Sequence, residues 1–171
     1  TEVILCNSNQ KITYSKGIFK EGSFNVIFVN HPSFAEKEGI YTYTANEQNQ
    51  NPEHIKGHGH TDSLFLDVLF QKAVAQYYKI IFKQKNKSQL PDIVHCQDAS
   101  TACIPSLVKN SSASVVANTK TRFFVTIHNA GPAYHHYFNN IDEAQWYTNL
   151  PRIILEKAQN NGKVEPFLLA N

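Results

Sequence analysis

The stretch PDIVHCQDASTACIPSLVKN, residues 91–110, with RFFVTIHN, residues 122–129, decides the fold. Pro91 opens a strand over 92–96 whose Ile93-Val94 run is apolar and β-branched. Residues 97–100 read as a turn. Residues 101–110 read as a helix, in which Pro105 is tolerable only near the first turn. Residues 110–120 form a Ser/Asn/Lys loop, and residues 122–128 a second strand that ends in Asn129-Ala130-Gly131-Pro132. Strand, helix, strand is a βαβ unit, which implies a parallel pair and a right-handed crossover.

Outward from that unit the chain keeps the same character. Residues 64–82 have helical periodicity, with one apolar row at Phe65, Leu69, Ala73, Tyr77 and Ile81. A second row runs through Leu66, Phe70, Val74, Tyr78 and Phe82. Two adjacent rows make a broad face suited to packing on a sheet. Thr61-Asp62-Ser63 supplies N-cap chemistry, and Lys79, Lys83, Lys85 and Lys87 crowd the other end, as the helix dipole favours. FNVIFV at 24–29 predicts a strand, as does Val3–Cys6, with residues 11–14 expected to pair with the latter. Residues 39–61 are polar and carry three glycines, which predicts a long surface loop of the functional or mobile kind. Short helices are expected over 141–147 and, after Leu150-Pro151-Arg152, through Gln159. The expected class is α/β, one domain over 1–171, with at least three parallel strands.

Gross properties narrow the function. The chain has 171 residues, 42% hydrophobic and 18% charged, with a net charge of +2 and no basic block. Nucleic acid is therefore not an expected partner. No apolar stretch reaches the roughly 18–20 residues that a membrane span needs, so no membrane partner is expected either. Residues 1–14 do not form a secretory signal. Cys6, Cys96 and Cys103 are not in CxxC spacing, which suits a reducing cytoplasm. The chain has no Met, as expected of a processed protein or a piece of a longer one.

Open α/β sheets bind ligands at the carboxyl ends of their strands. Asp98 follows one such strand, and His128 and Asn129 end the other. If those strands are neighbours or one apart, Asp98 and His128 face one crevice. Structural alternatives stand beside that reading. Asp98 precedes a helix, where Asp is a good cap. His128 has the option of bonding a backbone group, and Cys96 reads as core. His54, His58 and His60 lie in HIKGHGH, and His135-His136 are adjacent. The H-x-H spacing suits a metal such as zinc, which a metal-dependent hydrolase would use, whereas the glycines suit a solvated loop. No phosphate-binding glycine loop and no GxSxG elbow is present.

PDIVHCQDASTACIPSLVKN followed by FFVTIHNAG resembles the amino-terminal half of bacterial glycogen synthases and plant starch synthases. These are the retaining glucosyltransferases of family five. Their pattern is a strand ending in P-D-(I/V)-(I/V)-H-x-(H/Q/N)-D-W-(H/Q)-(T/S)-(A/G), a helix, then a strand ending in (F/V)-T-(I/V)-H-N. Upstream, NVIFVNHPSFAEKEGIY resembles the family's strand and loop ending in D-H-P and a Tyr, and HTDSLFLDVLFQKAV sits where its long helix stands. Downstream, GKVEPFLLAN is similar to a segment of a divergent bacterial branch. The resemblance covers most of residues 24–171 and is most specific around 91–131.

The resemblance implies a Rossmann-like parallel sheet flanked by helices, part of the N-terminal domain of a two-domain GT-B enzyme. It implies transfer of glucose from a nucleotide sugar, usually ADP-glucose, to the non-reducing end of an α-1,4-glucan, with retention and without a metal or other cofactor. By motif, Asp98 matches the Asp that helps position the sugars, and His128 the His that faces the transferred glucose. Asn129 is the motif neighbour of His128, and Tyr41 matches the Tyr near the acceptor. Asp98-Ala99-Ser100 departs from the family's D-W-(H/Q), and Ala130–Tyr134 from its L-x-Y-Q-G. The K-x-G-G-L loop and the donor-binding second domain have no counterpart here. The chain is therefore expected to be a fragment without transfer activity of its own. A glucan-binding or regulatory module of the same fold is the alternative.

Overall fold

The structure is a computed structural model that describes residues 1–83, 90–111, 120–129 and 136–170. Lys85, Lys87, most of the 110–120 loop, Ala130–Tyr134 and His135 lie outside the described residues. The chain forms two compact units. One comprises Thr1–Glu2 with Lys11–Leu66, the other Val3–Gln10 with Asp67–Asn171.

The N-terminal strands differ from the expected pairing. Strand β1 (Glu2–Leu5) pairs with β2 (Ser8–Lys11), not with a strand over 11–14. Cys6 and Asn7 turn between them with φ of 51° and 56°. Left-handed conformation at both central residues is what a tight two-residue hairpin needs. Ser-Asn-Gln-Lys carries no apolar signal, so the turn geometry decides the pairing rather than the side chains. Strand β3 (Thr13–Phe19) then pairs antiparallel with β4 (Phe24–Asn30), and stacked Phe19 and Phe24 close the hairpin end at 5.0 Å.

Helix α1 (Pro32–Ala35) follows, capped by the His31 side chain. The polar segment 39–61 is more ordered than its composition suggests. Helix α2 (Ala45–Gln50) forms within it, begun by a capping box of Thr44 and Glu47. Glu47 is buried, and its carboxylate accepts the N–H groups of Thr44 (2.7 Å) and Glu38 (3.3 Å). Those bonds, the Thr44 N–H first, hold its carboxyl below the usual range.

Helix α3 (Ser63–Lys83) forms where periodicity places it, but its inner face is not purely apolar. Gln71 and Lys72 are buried beside Val68, Leu69, Ala73, Ala75 and Tyr78, while Phe70 is exposed. Each buried polar group has partners, as burial demands. Gln71 Oε1 accepts the Cys103 N–H at 2.7 Å. The Lys72 ammonium donates to the Ile4 carbonyl and to Asn149 Oδ1. Burial pushes the Lys72 amine down to about 8.

Strand β5 (Ile93–Gln97) pairs parallel with β6 (Arg122–Thr126), Ile93 opposite Arg122 and Gln97 opposite Thr126. Among the described residues of the crossover, the helix expected over 101–110 is instead two, α4 (Ala99–Ala102) and α5 (Ile104–Lys109), with the break at Cys103. Pro105 falls in the first turn of α5, where its missing N–H costs nothing. A Tyr78–Thr121–Pro91 relay fixes the strand entries. The Tyr78 hydroxyl donates to Thr121 Oγ1 at 2.7 Å, and that hydroxyl to the Pro91 carbonyl at 2.6 Å. Cys96 and Cys103 are buried, and all three cysteines are free thiols.

Helices α6 (Ile141–Thr148) and α7 (Arg152–Lys157), the hairpin β7 (Gln159–Asn160) with β8 (Lys163–Val164), and a 3-10 helix over Pro166–Ala170 complete the second unit. The architecture is α/β. Among the described residues the sheets are two-stranded, and β5–β6 is the parallel one, so the expected three or more parallel strands are not seen. Strand β4 pairs with its sequence neighbour because a four-residue turn makes that contact local and cheap in chain entropy. No described helix is long and apolar enough to cross a membrane.

Candidate functional site

The exits of β5 and β6 lie side by side because the strands pair in register to their last residues. The chain leaves β5 through Asp98 with φ 56° and ψ −173°, a region almost reserved for glycine. Hydrogen bonds hold it there. The Asp98 N–H donates to the Thr126 carbonyl at 2.9 Å, and Asp98 Oδ1 accepts the N–H groups of His128 (2.7 Å) and Asn129 (3.2 Å). One carboxylate thus joins two strand exits that are thirty positions apart in sequence.

The capping alternative for Asp98 is overturned. Asp98 occupies the position before α4 but makes no side-chain bond to it. The carboxylate is turned toward the β6 exit, where Oδ1 accepts two charge-assisted bonds in place of the one that a cap would supply. Thr101 serves the turn instead. Its hydroxyl accepts the Gln97 N–H and donates to the Gln97 carbonyl, both at 2.6 Å. The His128 N–H foremost, then that of Asn129, holds the Asp98 carboxyl below its usual range against a partial desolvation.

His128 is exposed, and its ring Nε2 lies 2.8 Å from Gln97 Oε1. Its ring therefore bonds a side chain, not a backbone group as the structural alternative had it. Gln97 shares an exposed sheet face with His95, whose Nε2 lies 2.6 Å from Thr126 Oγ1. Asp98, His128 and Asn129 are brought together. Tyr41 belongs to the first unit, where it and Ile40 are 83% and 85% exposed. Gln97 and Thr101 escaped the sequence reading. Strand alternation carried one step past β6 would have placed Gln97 and His128 on one face. Ala99 is buried in the first turn of α4, and Ser100 is exposed.

The histidine-rich segment is organised around Tyr43, which is 3% exposed. The His54 ring stacks on it at 4.2 Å and 6°, and the His60 ring meets it edge-on at 4.8 Å and 60°. The Tyr43 hydroxyl accepts the Thr61 N–H at 3.0 Å. Its main chain bonds the His58 carbonyl and the Gly57 N–H, each at 2.9 Å. The segment is therefore anchored on Tyr43, while most of its residues, His58 among them, face solvent as a surface loop does. Among the described residues no three His, Cys, Asp or Glu side chains group as a metal site would. His136 pairs with Asp67 at 3.0 Å, which raises its pKa.

The family model described as the starch synthase catalytic domain matches residues 3–169. The glycogen synthase of Koribacter versatilis (strain Ellin345) is 28% identical over 104 residues, 61% of this chain and 18% of that protein. The glycogen synthase of Thermodesulfovibrio yellowstonii (strain ATCC 51303 / DSM 11347 / YP87) is 27% identical over 107 residues, 63% of this chain and 18% of that protein. The matched stretch thus spans less than a fifth of the length of these curated relatives. A family match running almost end to end, over a chain whose paired strand exits hold Asp98 against His128, leads to one conclusion: the chain belongs to the starch synthase catalytic domain family of glycosyltransferases.

Proposed function

We propose that this chain is part of the N-terminal, Rossmann-like domain of a cytoplasmic two-domain retaining glucosyltransferase. In this reading the parent protein moves glucose from a nucleotide sugar, ADP-glucose, to the non-reducing end of an α-1,4-glucan. The observation that carries it is the Asp98 carboxylate bonded to the main chain of both His128 and Asn129 at adjacent parallel strand exits, within a matched family domain. That is the edge at which open α/β folds bind ligands.

The chemistry follows from the geometry. Asp98 fixes the backbone of the second strand exit, so the exposed His128 ring starts from a defined place. That ring hydrogen-bonds the transferred sugar and steadies the oxocarbenium-like charge that develops on it. Asn129 and Tyr41 contact the sugars, Tyr41 on the acceptor side. Closure of a second domain excludes water, which would otherwise hydrolyse the donor. The diphosphate leaves toward cations of that second domain, and the reading calls for no resident metal or cofactor. The isolated chain is inactive in this reading, because it supplies one wall of the cleft.

The test is glucosyl transfer by the parent protein with ADP-glucose and glucan. Asp98→Asn and His128→Ala are each expected to lower turnover by at least tenfold, and unchanged turnover in both would sink the site assignment. Glucosyl transfer by the 171-residue chain alone would overturn its expected inactivity. Buried Ala99, standing where the family carries Trp, favours a second reading, a glucan-binding module that has lost catalysis. Glucan binding by the parent without transfer would select that reading.

A further inference from the structure

The contact between His128 and Gln97 carries chemical information beyond its distance. An amide oxygen has no hydrogen to give, so the 2.8 Å bond requires the proton on His128 Nε2. In a neutral imidazole the other nitrogen, Nδ1, then carries the lone pair. Among the described residues nothing bonds Nδ1, and the ring is exposed. The His128 N–H is already taken by Asp98. Two adjacent residues, Gln97 and Asp98, therefore hold His128 by its ring and by its main chain.

We infer that Gln97 is a positioning residue that fixes His128 as the Nε2–H tautomer, leaving Nδ1 to accept a hydrogen bond from a ligand hydroxyl. This rests on the proposed reading that His128 faces a sugar, and it specifies which group of the sugar is read. A hydroxyl donates to Nδ1. A phosphate oxygen has no proton to offer at neutral pH and is rejected by the lone pair. The site at the strand exit thus selects the glycosyl part of a nucleotide sugar and leaves the diphosphate to be bound elsewhere.

The tautomer is read directly from long-range proton–nitrogen correlation spectra of the nitrogen-15-labelled chain, with His128 assigned by its loss in His128→Ala. The unmutated neutral ring is expected at the limiting shifts of the Nε2–H form. Gln97→Leu is expected to move both nitrogens toward the mixture seen for free imidazole. Gln97→Glu, which keeps an acceptor, is expected to hold the limiting form. An Nδ1–H ring in the unmutated chain, or unmoved shifts in Gln97→Leu, would overturn the inference whatever the activity. In the parent protein Gln97→Leu is expected to lower kcat about tenfold, with Gln97→Glu recovering most of it. If His128→Ala abolishes transfer and Gln97→Leu leaves it intact, the positioning role is wrong. If the tautomer behaves as stated and neither variant affects transfer, the inferred tautomer stands and the proposed function fails.

Discussion

Two polar, histidine-bearing regions look alike as sequence and differ as structures. In the segment 39–61, His54 and His60 pack on the buried ring of Tyr43. At the strand exits, His128 is exposed, held by its main chain and one ring nitrogen. The difference teaches that a histidine's role is read from what its ring faces, not from how many histidines surround it. A ring laid against an aromatic contributes apolar area and geometry. A ring fixed at one nitrogen and open at the other is arranged to meet a ligand.

The largest expected effect breaks the first region. Tyr43→Ala removes a ring that two histidines pack on and a hydroxyl that accepts the Thr61 N–H. A loss of about 3–5 kcal/mol, the range for truncating a buried large aromatic, is expected in urea unfolding of the first unit. A loss under about 1 kcal/mol, the size expected of an ordinary single substitution, would show that the segment is not anchored on Tyr43 as described.

Lys72 tests whether a buried polar group can be structural without any ligand. Its folded pKa, about 8, lies below its ordinary 10.5, so the unfolded chain binds that proton more tightly. Stability should therefore rise as pH increases from 8 to 10.5, by up to about 3 kcal/mol. The measurement is the difference between the parent chain and Lys72→Met over that window, which cancels the other titrating groups. Parallel curves would show that the Lys72 amine is not buried as a charge.

Glu47 acts with the opposite sign. Its folded pKa is lowered, so its contribution is present above the ordinary carboxylate pKa and is lost as pH falls through the folded value. Glu47→Gln should remove that acid-sensitive part and leave less stability at neutral pH, followed by circular dichroism from pH 7 downward. An unchanged acid transition would show that the capping box does not hold the segment.

The smallest expected effect sharpens the other side of the comparison. His128 is exposed, so His128→Ala should change stability by no more than about 0.5 kcal/mol. A large destabilisation would move His128 into the same class as His54 and His60.

Much of this was legible beforehand, for definite reasons. The rows of α3 and the apolar, β-branched runs of β4, β5 and β6 are local patterns. What escaped was decided by geometry between distant residues. Ser8–Lys11 forms a strand because a tight turn returns it to β1, although its side chains give no strand signal. Gln71 and Lys72 face inward because Cys103, Ile4 and Asn149 offer them partners.

The sequence by itself determined the order strand, crossover, strand, and with it that the loops carrying Asp98 and His128 leave at the same edge of a parallel pair. A right-handed crossover between parallel strands leaves few other arrangements. Only the tertiary structure decided that Asp98 serves the second strand exit rather than its own helix, that the crossover breaks at Cys103, and that Gln97 reaches the His128 ring. Each is a choice among hydrogen-bond partners of similar intrinsic strength. Such choices turn on distances of a few tenths of an ångström that long-range packing sets and local sequence does not encode.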